Sequence, residues 1–228
     1  MRLCLVEDLG AAGLEPLTLT RPVHDLRLGC STLGEKIAGA FGVGPGPQRR
    51  GALVRGHLAE AHRRRHPHVV VNDRDWLARG PLVAARSRWA PPEEFAPPSG
   101  GPWVGLCDGR PACAWVGPDD VLDLDWNGVD AWFDRILARY SGEEVGGEWI
   151  DRPWDLVEAN ARHIERDFAR DRRPAVSNRQ LATLALVGPS DRLRLHDTAR
   201  IDPYTVFDTT NGPIVVGPGV WVQPFTRL

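Results

Sequence analysis

Three places in the chain gather side chains able to do chemistry. Residues 16–29, PLTLTRPVHDLRLG, bring Arg21, Arg27, His24 and Asp25 into one short, proline-bracketed stretch. Glu7 and Asp8 close a first apolar run, LCLV, and Asn72 and Asp73 close a second, VVV. Guanidinium groups grip phosphate oxygens bidentately, and carboxylates at strand ends can hold Mg2+ beside a nucleotide phosphate. The same residue types also make helix caps and turns, so the elements around them must decide between the two roles.

Those elements alternate. Leu3–Val6 reads as a short buried strand, and residues 10–29 follow as a long loop. STLGEKIAGAFG has the pattern of a helix, with Ser31 as N-cap, Glu35 in the first turn and Gly42 as terminator. A brief strand at 52–54, a helix over GHLAEAHRRRHP ended by Pro67, and the strand in HVVVND come next. This β-loop-α-β-α-β order predicts an α/β fold with a doubly wound, mostly parallel sheet, in which ligands collect at the carboxyl ends of strands.

Further on, PWVGLCDGRPACAWV predicts a hairpin turning at Asp108-Gly109. VDAWFDRILARY predicts a helix burying Val129, Trp132, Phe133 and Ile136. RPWDLVEANARHIERDFARD predicts a second helix, with Leu156, Val157, Ala161, Ile164 and Phe168 inward and His163 exposed.

The tail reads in sixes: Leu195, Ile201, Val216, Val222 and Leu228 each begin a unit, and Ala199, Thr205, Val220 and Thr226 follow four positions later. That is the hexapeptide pattern of a left-handed parallel β-helix. Coils of this kind bury their faces only against neighbours, and the small number of them predicts a truncated repeat. The division expected is an α/β domain over 1–175, a linker over 176–190 and the first β-helix coils over 191–228.

The formal net charge of −2 gives no support to wholesale attraction to nucleic acid or membranes. The runs Arg63–Arg65 and Arg170–Arg173 read as solvated helix ends. Four scattered cysteines without CxxC spacing imply neither zinc ribbon nor disulfide framework. The N-terminus lacks a signal-peptide pattern, and no apolar run is long enough to cross a bilayer. The expected location is cytoplasmic.

Three segments, in this order, resemble a group of bacterial sugar nucleotidyltransferases: LTRPVHDLRLGCSTLGEKI, PWDLVEAN and DTTNGPIVVGPGVWVQPFTRL. The layout is similar to that of the bifunctional N-acetylglucosamine-1-phosphate uridyltransferase/glucosamine-1-phosphate acetyltransferase. The resemblance implies nucleotidyl transfer from an NTP to a sugar-1-phosphate with Mg2+ as cofactor, and a homotrimer for a full-length protein. Leu14, Pro16, Leu17, Thr18 and Pro22 match the wider nucleotidyltransferase signature, while Gly13 and Val23 stand where it has arginine and lysine.

Arg21 and Arg27 are the expected catalytic replacements. Gly10, Gly13, Thr18, Arg21 and Asp25 are the expected phosphate-binding loop, and Asp73 with Asp8 the expected metal ligands. The absent signature cations keep two other readings open: a non-catalytic nucleotide- or sugar-nucleotide-binding domain, or a structural cap for a hexapeptide-repeat acyltransferase.

Overall fold

The structure is a computed structural model describing residues 1–46, 48–125, 127–173, 176 and 184–228. The chain divides into two compact units, 1–159 and 160–228.

The first unit is built on seven strands: β1 (Leu3–Val6), β2 (Arg50–Leu53), β3 (Val69–Val71), β4 (Leu82–Arg86), β5 (Trp103–Cys107), β6 (Arg110–Val116) and β7 (Gly142–Glu144). Their order across the sheet is β7-β5-β6-β4-β1-β2-β3. All neighbours are parallel except β6, which runs antiparallel to both β4 and β5. This is the mixed, mostly parallel α/β sheet that the alternation predicted. Its hairpin turns where expected, with Asp108 and Gly109 both at positive φ (52° and 70°), the conformation a tight two-residue hairpin turn needs.

Alternate residues of β1 feed opposite faces. Cys4 and Val6 join Trp76, Leu77, Trp132 and Phe133 on one side, whereas Leu3 joins Ile37, Ala38, Phe41 and Trp89 on the other. The second face is covered by α1 (Leu33–Ala40), the first by α3 (Arg74–Ala78) and α4 (Val129–Arg139). Between them in sequence, α2 (Gly56–Arg65) packs Leu58 and Ala59 on Ala52, Val54 and Val71. With both faces covered, the inner strands are apolar almost throughout, as parallel strands require.

Two local expectations move. The N-cap of α1 is Thr32 rather than Ser31: Thr32 Oγ1 accepts from Glu35 N at 3.1 Å, and Glu35 Oε2 accepts from Thr32 N at 2.7 Å. Only Thr32 stands three residues before Glu35, the separation a reciprocal capping box demands. In α5 (Pro153–Arg170), Leu156, Ala159 and His163 are buried while Val157 is 76% exposed and Ala161 is exposed. The helix is rolled toward positions i, i+3 and i+7, and burial follows that face rather than hydrophobicity residue by residue.

In the second unit the strands are very short: β8 (Ala185–Val187), β9 (Leu193–Leu195), β10 (Arg200–Ile201), β11 (Val206–Asp208), β12 (Ile214–Val216) and β13 (Trp221–Val222). They form three separate parallel pairs, Ala185 with Val206, Leu193 with Ile214 and Arg200 with Trp221, each partner 21 residues further on. Leu193, Phe207, Val216 and Val222 make the enclosed core. Residues 177–183 of the expected linker lie outside the described residues.

Candidate functional site

In the first unit the chain steps from β1 to β2 to β3 in one direction, then returns to lay β4 on the opposite side of β1. The strand order therefore reverses between β1 and β4, and open α/β sheets bind ligands beyond the carboxyl ends of the strands at that point. Here those ends carry Glu7-Asp8 and Arg86-Ser87-Arg88.

Asp8 is almost wholly buried, as are Arg86 and Arg88. Its Oδ2 accepts from Arg86 Nη1 at 2.7 Å and from Arg88 Nη2 at 3.0 Å, and its Oδ1 accepts from Arg88 Nε at 2.7 Å. Burial alone would raise the Asp8 carboxyl, but hydrogen bonding and charge from Arg88 and Arg86 outweigh it and hold it below the usual carboxylate range. Outward, Arg86 also meets Asp130, and Arg88 meets Asp151; both carboxylates are about half exposed. Arg110 Nη1 lies 3.0 Å from Asp151 Oδ2 and stacks over Trp149 at 4.1 Å. Burial, then the nearby charges of Arg88 and Arg86, lower the Arg110 pKa, a sign that three guanidinium groups share one locality.

The loop after β1 is shaped by this cluster. Asp8 caps a 3-10 turn over Leu9–Leu14, accepting from Gly10 N at 3.1 Å. A Cβ on Gly10 would overlap the Arg88 guanidinium, and one on Gly13 would stand 2.6 Å from the Asp151 carbonyl oxygen. Both expected loop glycines thus give close approach, with the chain's own arginine and backbone as the neighbours. Thr18 is fully buried and donates from Oγ1 to Ala11 O at 2.9 Å. Glu7 ties the far end of the loop down, its Oε1 accepting from Val23 N at 2.9 Å while Arg55 bridges Glu7 and the Thr18 carbonyl oxygen.

The remaining expected residues scatter around this centre. Arg21 is exposed on the loop; Arg27 is exposed and donates to Cys30 O at 3.0 Å. Asp73 caps α3, its Oδ1 accepting from Trp76 N at 2.7 Å. Asn72, at φ 52°, clasps Val54 through both its side-chain atoms at 2.9 Å. Asp25 belongs to a different neighbourhood, with His24, His62 and His66. For Mg2+, which takes oxygen ligands in octahedral geometry, Asp73 offers a single carboxylate with one oxygen spent on the cap, whereas both Asp8 oxygens are held by guanidinium groups.

Sequence reasoning missed Arg86, Arg88, Arg110, Asp130 and Asp151. The signal was present in PLVAARSRW, an apolar strand that ends on two arginines bracketing a serine. Read as the fourth strand of an alternating fold, that run falls at the reversal point.

A sequence profile described as "Sugar nucleotidyl transferase" matches residues 3–173. No curated protein matches the chain. Among solved structures, the chain is similar to the crystal structure of a mannose-1-phosphate geranyltransferase from Thermus thermophilus, at 13% identity and a TM-score of 0.36, over 96% of this chain and 90% of that one. Among the described residues, no helix is long and apolar enough to cross a membrane.

Proposed function

Because the chain belongs to the sugar nucleotidyl transferase family, we propose that it transfers a nucleotidyl group from a nucleoside triphosphate to a sugar-1-phosphate. An oxygen of the sugar phosphate attacks the α-phosphorus, the bond to the β-phosphate breaks, and pyrophosphate leaves with the electron pair. The attacking phosphate is already anionic, so no side chain need act as base. What the protein must supply is positive charge where the phosphates crowd.

The observation that carries this reading is the buried Asp8–Arg86–Arg88 cluster at the reversal between β1 and β4, with Arg110 at its rim. Asp8 fixes two guanidinium groups from behind, and the half-exposed Asp130 and Asp151 cover them on the solvent side. Guanidinium groups grip phosphate oxygens as they grip carboxylates, so a triphosphate could replace those two outer partners. Arg21 and Arg27, exposed on the loop, would add charge on the outer phosphates. When bound, Mg2+ would neutralise phosphate oxygens, and Asp73 is the residue suited to hold it.

The test is pyrophosphate release across a panel of nucleoside triphosphates and sugar-1-phosphates. Arg110→Ala, at a side chain about half exposed, should lower turnover by about 10²-fold while leaving the fold intact. An active wild type with an unaffected Arg110→Ala variant would exclude the cluster from the reaction.

A second reading is favoured by the pairing itself. Arg86, Arg88 and Arg110 each already have a carboxylate partner, as suits a domain that binds a nucleotide or sugar nucleotide without turning it over. Silence across the panel combined with thermal stabilisation by a nucleotide would select it.

The second unit we read as opening coils of a left-handed parallel β-helix, following a domain over 1–175 and a linker over 176–190. The constant 21-residue offset supports this, being one three-sided coil made of two hexads and the nine-residue unit FDTTNGPIV, three residues longer than an uninterrupted hexapeptide coil. Such coils suit trimer formation and, in a longer protein, a cap on an acyltransferase. Light scattering tests the trimer, and an acetyl-CoA assay tests the transfer. Fractionation tests the cytoplasmic location.

A further inference from the structure

A second polar cluster, touching the Arg86–Arg88 segment through Ser87, lies beside a cavity of about 160 Å³ lined by Leu3, Leu5, Thr32 and Glu35 along with His24 and His62. His62 and His66 stand four residues apart at the end of α2, a spacing that puts both rings on one helix face. Their ring centroids are 4.5 Å apart. The turn Val23–Asp25 brings His24 and Asp25 against them.

Three atoms here, Asp25 Oδ2, His62 Nδ1 and His66 Nε2, are buried without a hydrogen-bond partner. Buried polar groups almost always have one, and three such atoms in one place are a reason to look for a group held among them. His62 Nδ1 is 3.4 Å from Asp25 Oδ2, and His66 Nε2 is 3.2 Å from Asp25 Oδ1, close enough for attraction but not aligned as hydrogen bonds. At bond lengths of about 2.0–2.1 Å, two corners of a tetrahedral Zn2+ site stand about 3.3–3.4 Å apart. Each Asp25–imidazole contact has the spacing of two neighbouring ligands on an ion, His62 facing Oδ2 and His66 facing Oδ1.

We infer that Asp25, His62 and His66, backed by His24, bind one divalent transition-metal ion of the Zn2+ type. The hydrogen-bond chain behind the site agrees. With Nδ1 of His62 on the ion, its Nε2–H faces His24 Nε2 at 3.3 Å, and His24 Nδ1–H faces Ser87 Oγ at 3.0 Å. Metal-bound imidazoles donate their second N–H in this way, which fixes tautomer and ring orientation. Donor atoms of His24, Asp25 and His62 lie within 4.8 Å of one another, and His24, with its two nitrogens facing His62 and Ser87, stands behind the ligands and orients them. Burial first, then the neighbouring His62, keeps His24 neutral with its pKa lowered to about 3.

Imidazole donors select Zn2+, Co2+ or Ni2+ over Mg2+, so the site is chemically separate from the magnesium considered for nucleotidyl transfer. Arg65, about half exposed, stands 3.6 Å from Asp25 Oδ2 and partners that carboxylate when no ion is bound. An ion here would tie the turn Val23–Asp25 to the end of α2, anchoring the loop that runs past the arginine cluster.

The protein, stripped with EDTA and dialysed, is titrated with Zn2+ and Co2+. One equivalent of Zn2+ per chain by equilibrium dialysis, and visible d–d bands of tetrahedral Co2+, are expected. His62→Ala should weaken Zn2+ binding at least 100-fold and His24→Gln by about 10- to 100-fold. His66→Gln, at a partly exposed helix end, tests the site where a buried variant fails to fold, and should also weaken binding at least 100-fold. His57→Gln and His68→Gln, both at exposed positions, should leave it unchanged. Failure of the wild type to take up one equivalent, or uptake that His66→Gln leaves intact, would overturn the assignment whether or not the protein transfers nucleotides.

Discussion

Asp8 holds two guanidinium groups where water scarcely reaches, so its removal leaves each with only its half-exposed outer carboxylate, Asp130 or Asp151. Breaking a buried ion pair from one side costs about 3–5 kcal/mol, and Asp8→Asn should show a loss of that order in urea denaturation at pH 7. The pH dependence has a definite sign. The folded carboxyl lies below its usual 3.8, so the unfolded chain takes up the proton first as acid is added. The stability Asp8 contributes is complete above that value and drains away as pH falls below it. The Asp8→Asn variant should therefore show a flatter loss of stability below about pH 4. A variant with the wild-type acid slope would mean that the two arginines do not depend on Asp8.

Among the elements, α3 separates two roles of one residue. Asp73 caps the helix through one carboxylate oxygen, and Asp73→Ala should cost about 1 kcal/mol on that account alone. Asp73→Ser keeps a capping oxygen and removes the charge. If the Ser variant restores stability but still needs more Mg2+ for pyrophosphate release, Asp73 works on the metal as well as the helix. If it restores both, the cap is its whole contribution. The loop between β1 and α1 is held in the same composite way, by Asp8 at one end and by Glu7 with Arg55 at the other.

For the whole molecule, the two units rest on different principles. The first buries both faces of one seven-stranded sheet; the second closes three narrow parallel pairs around a few side chains. Among the described residues of the second, Phe207 is the largest side chain fully enclosed, so Phe207→Ala should destabilise it by about 3–5 kcal/mol. Amide exchange should then rise across residues 185–222, with protection in β1 and β4 retained. Equal loss in β1 and β4 would mean that the units unfold as one.

Much of this was legible in the order of residues. Hydrophobic period and strong punctuation marked β1, β3, the Asp108-Gly109 hairpin and α4, because these depend on neighbours close in sequence. The same local logic singled out Gly10, Gly13 and the charged strand ends. It could not say what they touch. Gly10 owes its lack of a side chain to Arg88, and Asp8 faces two arginines some eighty residues away. His62 and His66 look like solvated helix-end residues until a turn near residue 24 is laid across them. Local pattern determined which elements form; which side chains meet was decided by strand order, because only the return of β4 beside β1 brings the charges of distant segments into one unhydrated place.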